Sequence, residues 1–242
     1  ALKMQERGFS VKIFDFVPKR FDAFNKKQYP GISQQNNWSL RNFIPDLDRG
    51  KITFCSKPER MFDGSPVHLI AMPIVDKGKA KGLNLKELAV FFVKNASVET
   101  LVLFQAFGVP GQIDEFFCQP LKKAGAPCHV GTAFRSDWVL EEFNNSRSQM
   151  ISANNPKALD KAKEFFSLLG ISHAAFGSIK EAEVFENAKN ALNYTTTAFV
   201  NQLAMAYPSI DIQKVTKSLL SEVDLSTCQL SMGAGGYRMP FS

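Results

Sequence analysis

These 242 residues lack most of the features that place a chain in a class at sight. No run of eighteen apolar residues occurs, so no membrane span is expected. The opening ALKMQERGFSVKIFDF has no basic n-region, apolar h-region and cleavage site, so it does not read as a signal peptide. Residue 1 is Ala rather than Met, and the expectation is that the natural chain starts further upstream. The four cysteines, Cys55, Cys118, Cys128 and Cys228, form no CxxC pair. That argues against a zinc or other metal site and for reduced thiols in a cytoplasmic setting. No stripe of one charge is present either. The formal charge is +6, but the basic residues (Lys26 and Lys27, Lys122 and Lys123, Lys161 and Lys163) are scattered. Such a pattern describes a basic solvated surface rather than a nucleic-acid face, and it suits anionic small substrates equally well. There is no internal repeat and no low-complexity segment.

What is present is ordinary for a globular protein: 45% hydrophobic and 21% charged residues, enough for one large domain or one plus part of a second. Through residue 178, short β-rich runs alternate with helical patterns. The expected strands are Val11–Phe14, Ile52–Phe54, Val67–Met72, Leu101–Phe104, His129–Gly131 and Met150–Ser152. Helical stretches fall at Lys19–Lys27, Leu85–Lys94, Gln112–Lys123 and Pro156–Leu169. This alternation predicts βαβ units and a mostly parallel sheet covered by helices on both faces. VHLIAM is nearly all apolar, as a doubly covered strand should be.

From about Ile179 the pattern changes. Residues 180–206 contain no Gly or Pro, and Phe185, Ala188, Leu192, Phe199 and Leu203 fall at helical spacing. A single helix of roughly 40 Å follows, stopped by Pro208. A shorter helix, Asp211–Leu220, is expected next, capped by Asp211.

In ERGFSVKIFDFVPKR a helix ends at Gly8 and a strand closes on Asp15. A dinucleotide-binding fold ends its second strand this way, with the carboxylate accepting hydrogen bonds from the adenosine ribose; Asp favours NAD, since a 2′-phosphate would be repelled. An acid after a strand also serves as a plain turn residue. The glycine fingerprint that should precede it is not within these residues. In the strand order 3-2-1-4-5-6 the first strand, which would carry it, is central.

The succession GFSVKIFDFVPKRFDAFNKKQYPGI, RGKITFCS, VHLIAMP, FGVPG, EAEVFENAKNALNYTTTAFVNQLA and GAGGYRMP resembles the nucleotide-sugar dehydrogenases of the UDP-glucose/GDP-mannose type, across nearly the whole chain. The resemblance implies a Rossmann-like doubly wound sheet over about 1–178, without its first strand and glycine loop. Residues 179–242 would then be a long helix and the start of an all-α dimerisation domain. It implies NAD as cofactor, with Asp15, Arg20 and Pro73 as contacts. It also implies a nucleotide sugar as ligand, a homodimer built on the long helix, and no nucleic-acid or membrane partner.

The activity implied is oxidation of a sugar C6 alcohol to a carboxylate, which needs a hydride acceptor, a base and a thiolate to hold the aldehyde. At the matching positions this chain departs from the family. The cysteine of the GGxC loop is Arg238, and Cys228 lies ten residues upstream. The lysine of the long helix is Glu186, which reverses the sign of charge offered to a developing oxyanion. Asn190, one turn further on, is retained, as are Gly233, Gly235, Gly236 and Pro240, which would let backbone approach a sugar. Lys189 lies three residues beyond Glu186, about 300° around the helix, and reads as a poor substitute. The Ser-Thr pair after the fifth strand is Ala106-Phe107. The catalytic Glu is Asp137 in RSDW, a position that also suits a helix N-cap. The expectation is a catalytically impaired homologue acting as a binding or scaffolding module. The alternative is an active NAD-dependent oxidoreductase with altered chemistry.

Overall fold

In the computed structural model the described residues are 4–5, 7–15, 52–55, 57–72, 74–76, 79–80, 82–106, 108–126, 128–134 and 149–222. The chain divides into two compact units, one ending at Glu183 and the other beginning at Val184.

The first unit is built on parallel strands. β1 (Val11–Ile13) pairs in parallel with β2 (Ile52–Phe54) as a two-stranded sheet. A five-stranded sheet has the order β3 (Val67–Ile70), β6 (Leu101–Phe104), β7 (His129–Phe134), β8 (Gln149–Ala153), β9 (His173–Ala175). A small hairpin, β4 (Val75–Asp76) with β5 (Lys79–Ala80), lies outside both. Among the described residues no strand joins β1 to β3. The break falls where the order 3-2-1-4-5-6 would place its first strand.

β3, β6 and β7 run parallel, as the alternation predicts, but β8 is antiparallel to β7 before β9 resumes parallel to β8. The five-stranded sheet is mostly parallel, as expected, with this one antiparallel junction. β7 and β8 are also longer than their β-rich cores suggested. The Thr132–Ser152 hydroxyl pair, 2.6 Å apart and fully buried, explains why polar residues sit inside this ladder at little cost.

Helices cover both faces. Alternate side chains of β6 enter two cores: Val102 and Phe104 on one side, Leu101 and Leu103 on the other. The first core takes Leu85, Ala89 and Phe92 from α1 (Gly82–Asn95) and Ile113, Phe117 and Leu121 from the helical stretch 112–123. That stretch contains a π-helical turn, Asp114–Cys118, and ends as α2 (Gln119–Lys123). Phe117 meets Phe104 edge-on at 4.9 Å and Phe92 at 5.5 Å, geometry that adds to their area burial. The second core takes Ala162, Phe165, Phe166 and Leu169 from α3 (Pro156–Leu168) and the residue after it. α3 begins because Asn155 accepts the Ala158 N–H and Pro follows at the first helical position.

α4 (Ile179–Ala206) is the long helix. Ser178 and Glu181 form a capping box at its start, each side chain accepting the other's backbone N–H. α5 (Ile212–Glu222) follows, and Asp211 accepts the Lys214 N–H as its cap. Phe185, Leu192 and Phe199 are exposed along α4, whereas Val200 is buried.

Gly131 marks the tightest approach in the sheet. A Cβ there would stand 2.3 Å from the Ser152 carbonyl oxygen and 3.1 Å from a Leu103 methyl. Backbone cannot yield as a flexible side chain does, so Gly131→Ala is expected to cost about 1–3 kcal/mol, read as a lowered urea midpoint with unchanged m-value.

Candidate functional site

Two regions carry the residues singled out from the sequence. The first is the C-terminal end of the parallel strands, where open α/β sheets bind ligands. Asp15 stands there, half-buried and two residues beyond β1. β1 is held on one side by β2 and on another by Lys12, whose ammonium donates to the carbonyls of Arg60 and Asp63. Ala106, two residues past β6, packs against the first core.

The loop after β6 is tightly organised. Gly111 adopts φ +91°, a conformation that favours glycine. The Gln112 side chain accepts the Val109 N–H at 3.0 Å and donates to the Ile74 carbonyl. The carboxylate of Glu183 accepts the Gly111 N–H at 2.6 Å and the Ile113 N–H at 3.3 Å. Glu183 is fully buried. Burial pushes its pKa up, and the two backbone donors pull it back down. Sequence reasoning missed this residue. The signal available was a second Glu in EAE at a helix position facing the core.

The second region is the face of α4 in the second unit that carries Glu186 and Asn190. Both are buried, at 2% and 6% exposure, although a charged residue on a solvated helix face would be far more exposed. Lys189 Nζ lies 2.7 Å from Glu186 Oε1, and its side chain is only 15% exposed. Lys189 is thus engaged by Glu186. A turn of about 300° is also 60° the other way, and residues three apart on a helix are neighbours. The site position that reads as a reversal of charge is in fact a neutral ion pair. Burial raises the Glu186 pKa, while the hydrogen bond from Lys189 and its charge oppose that rise. The Lys189 ammonium also lies 5.8 Å from the centre of the Phe185 ring.

No described thiol is a ready nucleophile. Cys55, Cys118 and Cys128 are buried and unpaired. Burial drives the Cys118 pKa far above the ordinary range and pushes Cys128 up to about 11, so both stay protonated thiols. Among the described residues no group of His, Cys, Asp and Glu could hold a metal ion, and no helix is long and apolar enough to cross a membrane. Arg20, Pro73, Phe107, Asp137, Cys228, Gly233, Gly235, Gly236, Arg238 and Pro240 lie outside the described residues.

The Glu186–Lys189 pair makes a pH-dependent prediction. Lys189→Met leaves a carboxylate buried without its cation, a loss of about 3–5 kcal/mol at neutral pH. The folded protein holds the Glu186 proton more tightly than the unfolded chain. Its contribution is therefore full below the ordinary value of 4.5 and lost as pH rises through the raised folded value. Urea midpoints of Lys189→Met should fall as pH is raised from 4.5, and adding Glu186→Gln should remove most of that slope.

No family model matches the chain, and no curated protein matches it. Solved structures do. The UDP-D-ManNAc dehydrogenase from Pyrococcus horikoshii superposes with TM-score 0.79 at 16% identity, covering 100% of this chain and 59% of its own. The GDP-mannose dehydrogenase from Pseudomonas aeruginosa gives 0.76 at 14%, covering 93% and 55%. The UDP-glucose dehydrogenase from Pyrobaculum islandicum gives 0.74 at 14%, covering 90% and 52%. The chain thus spans between 52% and 59% of these proteins' lengths. These alignments cover at least 90% of its residues, and the chain has the α/β fold, with a Rossmann-like sheet, of the nucleotide-sugar dehydrogenases.

Proposed function

We propose that the chain belongs to a nucleotide-sugar-binding protein of the dehydrogenase type that no longer completes the oxidation of alcohol to acid. The observation that carries this reading is the buried Glu186–Lys189 pair on α4. A free ammonium at that position would stabilise negative charge developing on a substrate oxygen. An ammonium 2.7 Å from a carboxylate has most of its field cancelled at that distance. Arg238, where a thiolate would be needed, acts in the same direction, because a guanidinium stays protonated and forms no thiohemiacetal.

Asp15 supports NAD as the ligand: it is a half-buried carboxylate just beyond a parallel strand, the kind of group that accepts from ribose hydroxyls in such folds. NAD, when bound, supplies the hydride acceptor. The chain's own residues would bind and orient. Asp15 would fix the ribose, Asn190 would hydrogen-bond a sugar hydroxyl through its amide, and glycines at 233, 235 and 236 carry no side chain to exclude a sugar. A second reading, a working oxidoreductase performing one two-electron alcohol oxidation without a thiolate, is favoured by Lys189 itself, which keeps an ammonium on this face of α4. The exposed Phe185, Leu192 and Phe199 of α4 support a homodimer along that helix, since such a row is more apolar than a monomer surface usually leaves in water.

Calorimetry on the full-length protein, with NAD alone and with UDP-glucose or GDP-mannose present, tests the reading. Micromolar binding of a sugar nucleotide without NADH formation is expected. Steady conversion of either sugar nucleotide to its acid would overturn the impaired reading, and no binding of any ligand would overturn the nucleotide-sugar assignment. Glu186→Lys combined with Arg238→Cys should yield NADH where the parent yields none. Light scattering should report a dimer that Leu192→Glu with Phe199→Glu converts to monomer.

A further inference from the structure

The helical stretch that follows β6 starts without a side-chain acceptor at the residue before it, although Gln112 and Val109 bond each other locally. A helix leaves its first N–H groups without partners inside the helix, and a Ser, Thr, Asp or Asn at the preceding position ordinarily accepts one of them. Here the preceding residue is Gly111, which has no side chain to offer, and Pro110 before it has no N–H. The acceptor comes from 72 residues further along the chain. Glu183 Oε2 takes the Gly111 N–H and Oε1 takes the Ile113 N–H, both carboxylate oxygens being engaged by one turn of backbone.

Glu183 sits in the second turn of α4 and is the last residue of the first unit. Around it, Ile179 and Ala182 of α4 pack in the same core as Ile113 and Phe117. The charged neighbours are Asp114, on the same helical stretch as Ile113, and Lys180, on α4. Both are exposed, so neither replaces the carboxylate as the partner of the loop. Hydrogen bonds from backbone N–H to an ionised carboxylate are roughly twice as strong as neutral ones. A buried carboxylate that loses them is strongly penalised.

We infer that Glu183 is a positioning residue, a clamp that sets the loop of residues 108–113 from the start of α4. The loop lies at the C-terminal end of β6, and Gly111 and Gln112 shape it locally, but the two amides at 111 and 113 are held from the long helix. The clamp makes loop and helix start one unit of local opening, distinct from the sheet beneath. Apolar packing alone would leave the Gly111 and Ile113 amides to exchange with the loop, independently of α4.

Amide hydrogen exchange tests this in the full chain without any ligand. In Glu183→Gln the side chain keeps its size but one oxygen becomes an amino group that cannot accept. Exchange at Gly111, Ile113 and residues 179–183 is expected to rise together by about tenfold or more, the loss of a charge-assisted bond, while Leu103 and Val130 in the sheet stay at the parent rate. Glu181→Gln, which touches only the capping box, should leave the loop amides unchanged. The clamp is overturned if Glu183→Gln leaves the loop amides at the parent rate. It is equally overturned if loop and sheet amides accelerate by the same factor, or if Glu181→Gln reproduces the loop effect. Should Glu183→Gln fail to fold, Glu183→Asp, which retains the charge but falls short by one methylene, is read by the same exchange pattern and the same outcomes.

Discussion

Everything in the first unit depends on four consecutive side chains, Leu101, Val102, Leu103 and Phe104, none more than 2% exposed. A strand buried on both faces must send alternate residues to opposite sides, so Leu101 and Leu103 nucleate one core while Val102 and Phe104 nucleate the other. α3 has to cover the first and α1 with the 112–123 stretch the second, because a half-covered β6 would leave two apolar faces in water. The candidate site's edge of the sheet follows from the same strand. β3 and β7 lie parallel on either side of it, which gathers their C-terminal ends, and the loops after them, on one edge.

This much was legible from residue patterns, for a definite reason. LVLF and VHLI are short apolar runs without charge, between stretches of helical period, and only a doubly covered parallel strand satisfies both features. The antiparallel β8 was not legible. Its direction depends on what residues 135–148 do between β7 and β8, and no periodicity states that. The hairpin β4–β5 escaped because its strands are two residues each, below any detectable period. β9, read as HAA, has too little side chain to signal a strand and is specified by pairing with β8.

The candidate site divides in the same way. Asp15 could be found because a strand followed by an acid is a local pattern. Asn190 and Glu186 could be found because EAEVFENAKN preserves the order of a known helix. For Glu183 the only signal was a second acid on the core side of EAE; its partners are backbone groups of residues 111 and 113, which leave no trace in the sequence. Lys189 was visible, but its contact with Glu186 was not. Position angle on a helix locates a Cα, whereas a lysine ammonium sits at the end of a long flexible stem and can meet a carboxylate one turn away.

That last point decides how the α4 face should be understood. A lone Glu in place of a Lys would put an uncompensated negative charge in a buried position, which no fold retains without a partner. The pair resolves the charge but does not make the face stabilising: a buried ion pair often contributes no more than apolar residues of the same volume. Stability therefore gives no reason for Glu186 and Lys189 to stand side by side there, with Asn190 next to them, when leucines would pack the same helix as well. What the pair does provide is a fixed donor beside a fixed acceptor, with no net charge. Such a face suits hydroxyl groups, which both donate and accept, better than it suits a developing oxyanion. On the reading proposed above, the polar face of α4 would recognise a sugar without supplying the field that its oxidation needs.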